Sequence, residues 1–273
     1  MDFLEQSTQL LEGGVTAQRE FFQQAQTDFL HTMVQEIENE NPQVRDEINY
    51  RLLVDLVQYR VLSELQSEVI INELLNRNLL LKSIGYQNDS SVFTRALSAD
   101  WYRLLLTDDQ ISGELGQKIL KDAIKLMNDE QDLRAYTAQG LAYSVGNSAL
   151  LIYVLLDAQD NSNEYAAAVL TAIQSNFWKS NVFTDDEEER LIALIQLLLN
   201  KGCAEEIVIE WIEQIFDRLE LISQVEGFSP KLLKSRTQIL NFMKSLYFDL
   251  KFKNKNPKLQ SIISIFIQKW NRL

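Results

Sequence analysis

The sequence predicts an all-α protein, a right-handed superhelical stack of antiparallel helix pairs of the HEAT/armadillo-like α-solenoid kind. Three observations predict it. The 273-residue chain carries only three prolines and nine glycines, too few breakers for a sandwich, a barrel or a doubly wound sheet. Apolar residues recur at spacings of three and four almost throughout. About twelve such stretches fit into the length, about 23 residues each with a turn, and a pair of ~45 residues is the size of a HEAT-type unit. Residues 1–273 are expected to form one helical-repeat domain, with the C-terminal helices of 231–273 packed on the same stack.

The elements follow in order. Thr16 to Glu40 reads as one long amphipathic stretch, with Phe21, Phe22, Ala25, Phe29, Met33 and Ile37 on its apolar side. Asn41-Pro42 ends it and opens the next helix, since Asn caps well and Pro is tolerated at the first helical position. Ile48, Leu52, Leu53, Leu56 and Val57 form the stripe that follows. Further helices are expected from Ser63 or Leu65 to Leu81, Val92 to Leu106, Ser112 to Met127, Asp132 to Asp157 and Ser162 to Trp178. Thr184 to Asn200 comes next, with Thr184 and Glu187 as a capping box and Gly202 as the left-handed stop. Glu205 to Val225, Pro230 to Leu250 and Pro257 to Trp270 complete the set. Val92-Phe93-Thr94 recurs as Val182-Phe183-Thr184, 90 residues on, which reads as a repeated helix entry in which an aromatic precedes a capping Thr.

Composition narrows the class. Hydrophobic residues make up 46% and charged residues 24%, the balance of a chain that folds. The single cysteine, Cys203, excludes an intramolecular disulfide and fits a reducing compartment. Residues 1–6 lack a basic or apolar leader run, and the longest apolar run, Ala149 to Leu156, is eight residues. A span needs roughly 20, so a cytoplasmic location without a transmembrane segment is the expectation. The formal charge is −13, unevenly spread: residues 231–273 carry +9 and the rest −22. Either the basic end docks on an acidic neighbour, or it is an arm for nucleic acid or anionic lipid. The acidic body would repel a phosphate backbone, which disfavours nucleic acid.

Four blocks carry a family resemblance. Asp89-Ser-Ser-Val-Phe-Thr-Arg95-Ala-Leu-Ser98 resembles the Asp-Ser-Val-Phe-Thr-Arg-Ser-Phe-Ser block of domain-of-unknown-function family 2785. Pro42 to Glu47 is similar to its Pro-Glu-Leu-Arg-Asp-Glu block, and Val182 to Leu191 to its Val-Phe-x-x-Glu-Asp-Glu-Arg-Leu block. Asp132-Leu-Arg134 and Gly140 are similar to its Asp-Leu-Arg-Gly and Gly-Trp-Ala-His blocks. The resemblance spans roughly residues 40–200, with the rest of the chain left open, and implies a helical, armadillo-like bacterial protein with no established activity. Proteins of that pattern carry Trp-Ala-His-x-x-x-His-x-x-Asp after the Asp-Leu-Arg block, and side chains at i, i+4 and i+7 share one helix face where a metal could be held. Here those positions are Tyr143, Asn147 and Leu150, a poor ligand set.

No catalytic set assembles from the rest. His31 is the only histidine and sits on an amphipathic stretch, so Ser-His-Asp or Cys-His arrangements would both have to run through it. Neither a phosphate-binding glycine loop nor a zinc spacing is present, and no cofactor or metal is expected. The candidate ligand-binding residues are Asp89, Arg95, Asp132, Arg134, Tyr143, Asn147, Glu189 and Arg190. All but Tyr143 and Asn147, which lie on the helix face just described, are at or near turns or helix starts that a stack would gather along one edge, as Arg–carboxylate locks between repeats or as a polar pocket. The expected function is a non-enzymatic scaffold binding an unknown protein or peptide on its concave face. The alternatives are a small-molecule-binding protein or hydrolase using the Asp/Arg turns, and nucleic-acid or membrane contact through 231–273. Oligomeric state is left open.

Overall fold

The computed structural model describes residues 2–159, 162–179 and 181–271. Among these, the three-and-four spacing of apolar side chains produces thirteen α-helices and almost no strand. α1 (Phe3–Phe21) is capped by Asp2, whose Oδ1 accepts from Glu5 N at 2.8 Å, and is kinked at Gly14. α2 (Thr27–Gln35) follows, then a π-helical stretch, Gln43–Tyr50, that runs directly into α3 (Arg51–Gln58). α4 (Glu64–Asn76) starts with a capping box between Ser63 and Gln66. α5 (Ser91–Leu105), α6 (Asp108–Ser112) and α7 (Glu114–Asp129) lead into a short hairpin, β1 (Tyr136–Thr137) and β2 (Gly140–Leu141), with Tyr136 opposite Leu141. α8 (Ser144–Asp157), α9 (Ala166–Asn176), α10 (Glu187–Asn200), α11 (Glu205–Glu226), α12 (Pro230–Phe252) and α13 (Pro257–Trp270) complete the chain.

The helices sort into two rows. In one row α3, α5, α8, α10 and α12 are successive neighbours. In the other, α7, α9, α11 and α13 are successive neighbours, and α4 joins α7 through the 3-10 turn Leu79–Leu81. Between the rows lies one continuous apolar core reaching from Leu10 to Trp270. α5 is buried on nearly all sides, with Trp101 and Tyr102 at or below 1% exposure. Farther along, Phe177, Trp211 and Phe242 form an aromatic cluster with centroids 5.0–6.5 Å apart. Among the described residues no helix is long and apolar enough to cross a membrane.

Several expected elements differ, each for a local reason. The stretch from Thr16 to Glu40 is not one helix. α1 ends at Phe21, Gln26 turns left-handed (φ 49), and Phe21, Phe22 and Phe29 pack edge to face across the break. α1 also begins at Phe3, well before the periodicity at Thr16. Asp132 to Asp157 is helical only from Ser144, because residues 130–143 are held extended by Arg–carboxylate bonds and the hairpin. Ser112 to Met127 divides at Gly113, which separates α6 from α7. The Thr184 capping box does not form. Asp186 occupies the cap position in a left-handed conformation, Thr184 Oγ1 donates to Asp185 Oδ2 at 2.8 Å, and Glu187 Oε2 accepts from Asp185 N at 2.9 Å. Val92-Phe93-Thr94 lies inside the first turns of α5 whereas Val182-Phe183-Thr184 precedes α10, so the two triplets are not equivalent helix entries.

The basic C-terminal helices meet acidic and polar partners within the chain. Lys258 and Lys269 on α13 pair with Glu206 and Glu220 on α11 at 2.9 and 2.6 Å. Lys253 and Lys255, at and beyond the end of α12, donate to Gln196 and Asn200 on α10 at 2.7 and 3.1 Å. Arg236 donates to the Trp270 carbonyl. Arg272, also counted in the basic end, lies outside the described residues.

Candidate functional site

All the sequence-predicted residues except Glu189 fall into two networks on either side of the hairpin. The first is built where α5 begins and α7 ends. Asp89 Oδ1 accepts from Ser91 N at 3.0 Å and fixes the turn into α5; that bond holds its carboxyl below the usual range. One turn on, Arg95 points inward. Its Nε and Nη2 donate to both oxygens of Glu130 at 2.7 and 2.8 Å, and Nη1 donates to the Lys82 carbonyl and Ser91 Oγ at 2.7 and 2.8 Å. Both side chains of this pair are 0% exposed. Glu130 also accepts from Asp132 N at 3.0 Å. Asp132, itself buried, accepts from Asn88 N at 3.0 Å and from Arg134 Nε and Nη2 at 2.9 and 2.6 Å. Arg134 Nη2 closes the ring on the Asp89 carbonyl at 3.1 Å. Arg95 pairs with Glu130 and Arg134 with Asp132, and the carboxylates of Asp89, Glu130 and Asp132 each accept a backbone N–H, so the network locks two turns together.

Arg45, which sequence reasoning did not single out as a site residue, extends this network. It forms a bidentate pair with Asp46 at 2.7 and 2.8 Å, donates to the Gln139 carbonyl at 2.6 Å, and lies 4.3 Å over the Phe93 ring. The hairpin residue Gly140 sits against this pair at φ 117, where a Cβ would fall 2.1 Å from Asp46 Oδ2 and 2.3 Å from Arg45 Nη2. The positions at Arg45-Asp46 and Gly140 are therefore coupled by contact. Arg45, Phe93 and Asp89, with Glu38, Lys82 and Ser91, line a half-open pocket of about 410 Å³.

The second network joins α8 to α10 and α5. Asn147 Nδ2 donates to the Ala96 carbonyl at 3.0 Å and its Oδ1 accepts from Arg190 Nη1 at 2.8 Å. The Arg190 guanidinium lies 4.2 Å over the Tyr143 ring, and Tyr143 OH donates to the Asp185 carbonyl at 2.8 Å. Burial pushes the Tyr143 phenol up, with Arg190 opposing. Gly146 leaves room for that ring, since a Cβ there would fall 2.2 Å from Tyr143 Cε1. Tyr136 on the hairpin stacks at 5.8 Å from Tyr143, and its N–H reaches Asp185 Oδ2 at 3.4 Å, linking the two networks.

Glu189 stays outside both networks. It is exposed and faces two concavities. One, about 350 Å³, is lined by Tyr136, Tyr143, Asp185 and Asp186. The other is a groove of about 750 Å³ between α10 and α12, lined by Ile192, Ala193, Ser245, Phe248, Asp249 and Phe252. Asp132 lines neither of these nor the Arg45 pocket, so Asp89, Asp132 and Glu189 do not surround one cavity. Phe248 and Phe252 are 51% and 79% exposed, large for side chains of their kind. An i, i+4 aromatic pair on α12 was the available signal, hidden by apolar residues on every side of that helix.

Cys203 is buried and burial pushes its thiol up, against nucleophilic use. His31 Nδ1 lies 3.3 Å from Glu73 on the neighbouring helix. Lys179 is 8% exposed and donates to Asn176 Oδ1 at 2.6 Å and the Met127 carbonyl at 3.3 Å. Burial pulls its ammonium down to about 7 despite Glu130 and Asp129 nearby. Among the described residues, no three His, Cys, Asp or Glu side chains gather as a metal-holding group.

A family model described as a protein of unknown function, DUF2785, matches residues 80–248. No curated protein and no solved structure matches the chain. The matched span leaves out the Pro42–Glu47 block and reaches past residue 200 into α12. It holds the whole Arg95–Glu130–Asp132–Arg134 network, the hairpin and the Tyr143–Asn147–Arg190 network. The chain belongs to this family of unknown function, DUF2785.

Proposed function

We propose that the protein is a non-enzymatic helical-repeat scaffold that binds a peptide segment of another protein in the groove between α10 and α12. The observation that carries this reading is the groove itself, about 750 Å³, with Phe248 and Phe252 left exposed on its wall. Exposed aromatics beside a concavity are the usual anchors of recognition. The two rows of helices support a HEAT/armadillo-like solenoid, in which one row presents a continuous surface. The engagement of Arg95, Asp132, Arg134, Tyr143 and Asn147 in bonds within and between the turns and helices favours a structural role for them over a reactive one. The internal pairing of Lys253, Lys255, Lys258 and Lys269 favours docking of the basic end within the chain.

Selection from an unbiased displayed-peptide library against the folded protein tests this. Recovered peptides are expected to lose binding to Phe252→Ser, a change at an exposed position. Peptides that bind Phe252→Ser undiminished, or no recovery at all, refute the reading. The 410 Å³ pocket at Arg45, Phe93 and Asp89 supports a second reading, a small-molecule site. A metabolite panel in thermal-shift format, with Phe93→Leu as the comparison, tests it.

A further inference from the structure

We infer that the α10–α12 groove takes the apolar face of a basic amphipathic helix, about two turns long, whose Lys or Arg residues lie over the N-terminal end of α10. This rests on the peptide-binding reading and adds the partner's chemistry. The apolar part is set by Ile192 and Ala193 on α10 and Phe248 and Phe252 on α12. The two rings are stacked with centroids 6.0 Å apart, one helical turn from each other. From Glu189 to Gln196, the groove follows α10 over eight residues, a rise of roughly 10 Å at ~1.5 Å per residue. That accommodates two turns of a helix and its i, i+3, i+4 anchors.

The charge comes from the groove's two ends. At the far end the one cation, Lys253, is already held by Asp249 at 2.7 Å and by Gln196. At the near end Asp185, Asp186, Glu187, Glu188 and Glu189 follow one another; Glu187 is buried and accepts from Asp185 N, and among the described residues none of the five forms an ion pair. Arg190 also borders that acidic hollow, and because its partners, Asn147 and the Tyr143 ring, are neutral it keeps its charge and offsets one of the five acidic residues. Glu188 is pushed up by burial and by the repulsion of Asp186 and Glu189, in keeping with an excess of acidic over basic groups there. Glu189 borders both the groove and the hollow lined by Asp185 and Asp186, so the apolar and acidic surfaces are continuous. A surface of that sign recruits a basic segment and rejects an acidic one or an anionic membrane.

Three fluorescein-labelled helix-forming peptides of about 14 residues serve as probes, read by anisotropy. The first has a Leu/Phe stripe and a Lys block, the second carries Glu for Lys, and the third carries Ala for the stripe. The first is expected to bind at least about tenfold more tightly than either other peptide. Its affinity should fall when NaCl rises from about 50 to about 300 mM. Glu189→Lys should weaken it about tenfold, and Phe252→Ser should abolish it. If the Glu peptide binds equally, or Glu189→Lys changes nothing while Phe252→Ser still abolishes binding, the charge inference is overturned and the groove reading stands. If neither these peptides nor an unbiased library gives binding that depends on Phe252, both fall. Self-association that Phe252→Ser dissolves, seen by sedimentation without peptide, would make a second copy of this chain the occupant and overturn the inference.

Discussion

Replacing Glu130 with Gln removes one charge from a pair whose two side chains are both 0% exposed. Arg95 cannot shed its own charge in response. In the native protein its guanidinium donates to both Glu130 oxygens, to the carbonyls of Lys82 and Ser83, and to Ser91 Oγ. Glu130→Gln keeps the shape and an acceptor but leaves the cation with neutral partners only. Removing one partner of a fully buried pair costs about 3–5 kcal/mol, a large share of a typical stability of about 5–15 kcal/mol. An exposed pair would cost only about 0–1 kcal/mol, so the two cases separate cleanly. Urea unfolding followed by circular dichroism measures the difference. Stacked helices can unfold in parts, so hydrogen exchange along α5 is read beside it. The double variant Arg95→Met, Glu130→Leu should recover most of the loss, because neither member of the pair is left as an unpartnered buried charge. A Glu130→Gln cost below about 1 kcal/mol, or one that largely vanishes in high salt, would refute the argument, since a dry pair is little screened.

Four further outcomes follow from the same contacts. Gly140→Ala should destabilise by more than about 1 kcal/mol by displacing the Arg45–Asp46 pair from a φ 117 position, measured by urea midpoint. Lys179, whose pKa falls from 10.5 to about 7 on folding, binds fewer protons folded than unfolded between those values. Its contribution to stability should therefore rise with pH from about 7 towards 10.5, a slope that Lys179→Met should lack in pH-stepped denaturation. Glu188 has the opposite sign for a carboxylate: its folded pKa lies above its usual 4.5, so stability is lost as pH rises through that window. Glu188→Gln should remove the loss and stabilise the protein at neutral pH. Phe177→Ala, at 0% exposure between Trp211 and Phe242, should cost about 3–5 kcal/mol in thermal or urea unfolding.

The helical class was legible because it rests on local spacing, and α9, α11, α12 and α13 lie close to their predicted spans. What escaped was set by distant contacts. Periodicity across Thr16 to Glu40 cannot report that Phe21, Phe22 and Phe29 would pack on one another and break the helix. Residues 132–143 have helix-compatible residues, yet the bonds of Arg134 to Asp132 and Asp89 and of Arg45 to Gln139 hold them extended. The charged turns were found, and Asp89, Arg95, Asp132 and Arg134 do meet. Their central partner, Glu130, was missed, because nothing in one sequence singles out which acid a buried Arg 35 residues away will take.

The start of α8 bears on how the scaffold proposal and the family frame fit together. A metal held from positions 143 and 147 would need two unspent lone pairs aimed at one point. Tyr143 OH instead donates to the Asp185 carbonyl, and both amide atoms of Asn147 are engaged, one with α5 and one with α10. Arg190 already places a positive charge between them, 4.2 Å over one ring and 2.8 Å from one carbonyl oxygen. The side chain that a ligand set would require to be free is here the tie that joins three successive members of one helical row, α5, α8 and α10. Such a tie constrains how α10 sits against α8 and α5, and α10 is the helix that carries Glu189 and Ile192 to the groove. Loss of Asn147 should then alter peptide affinity through geometry while leaving the groove's own side chains in place. That outcome would distinguish a rigid recognition surface from one that simply moulds itself to its partner.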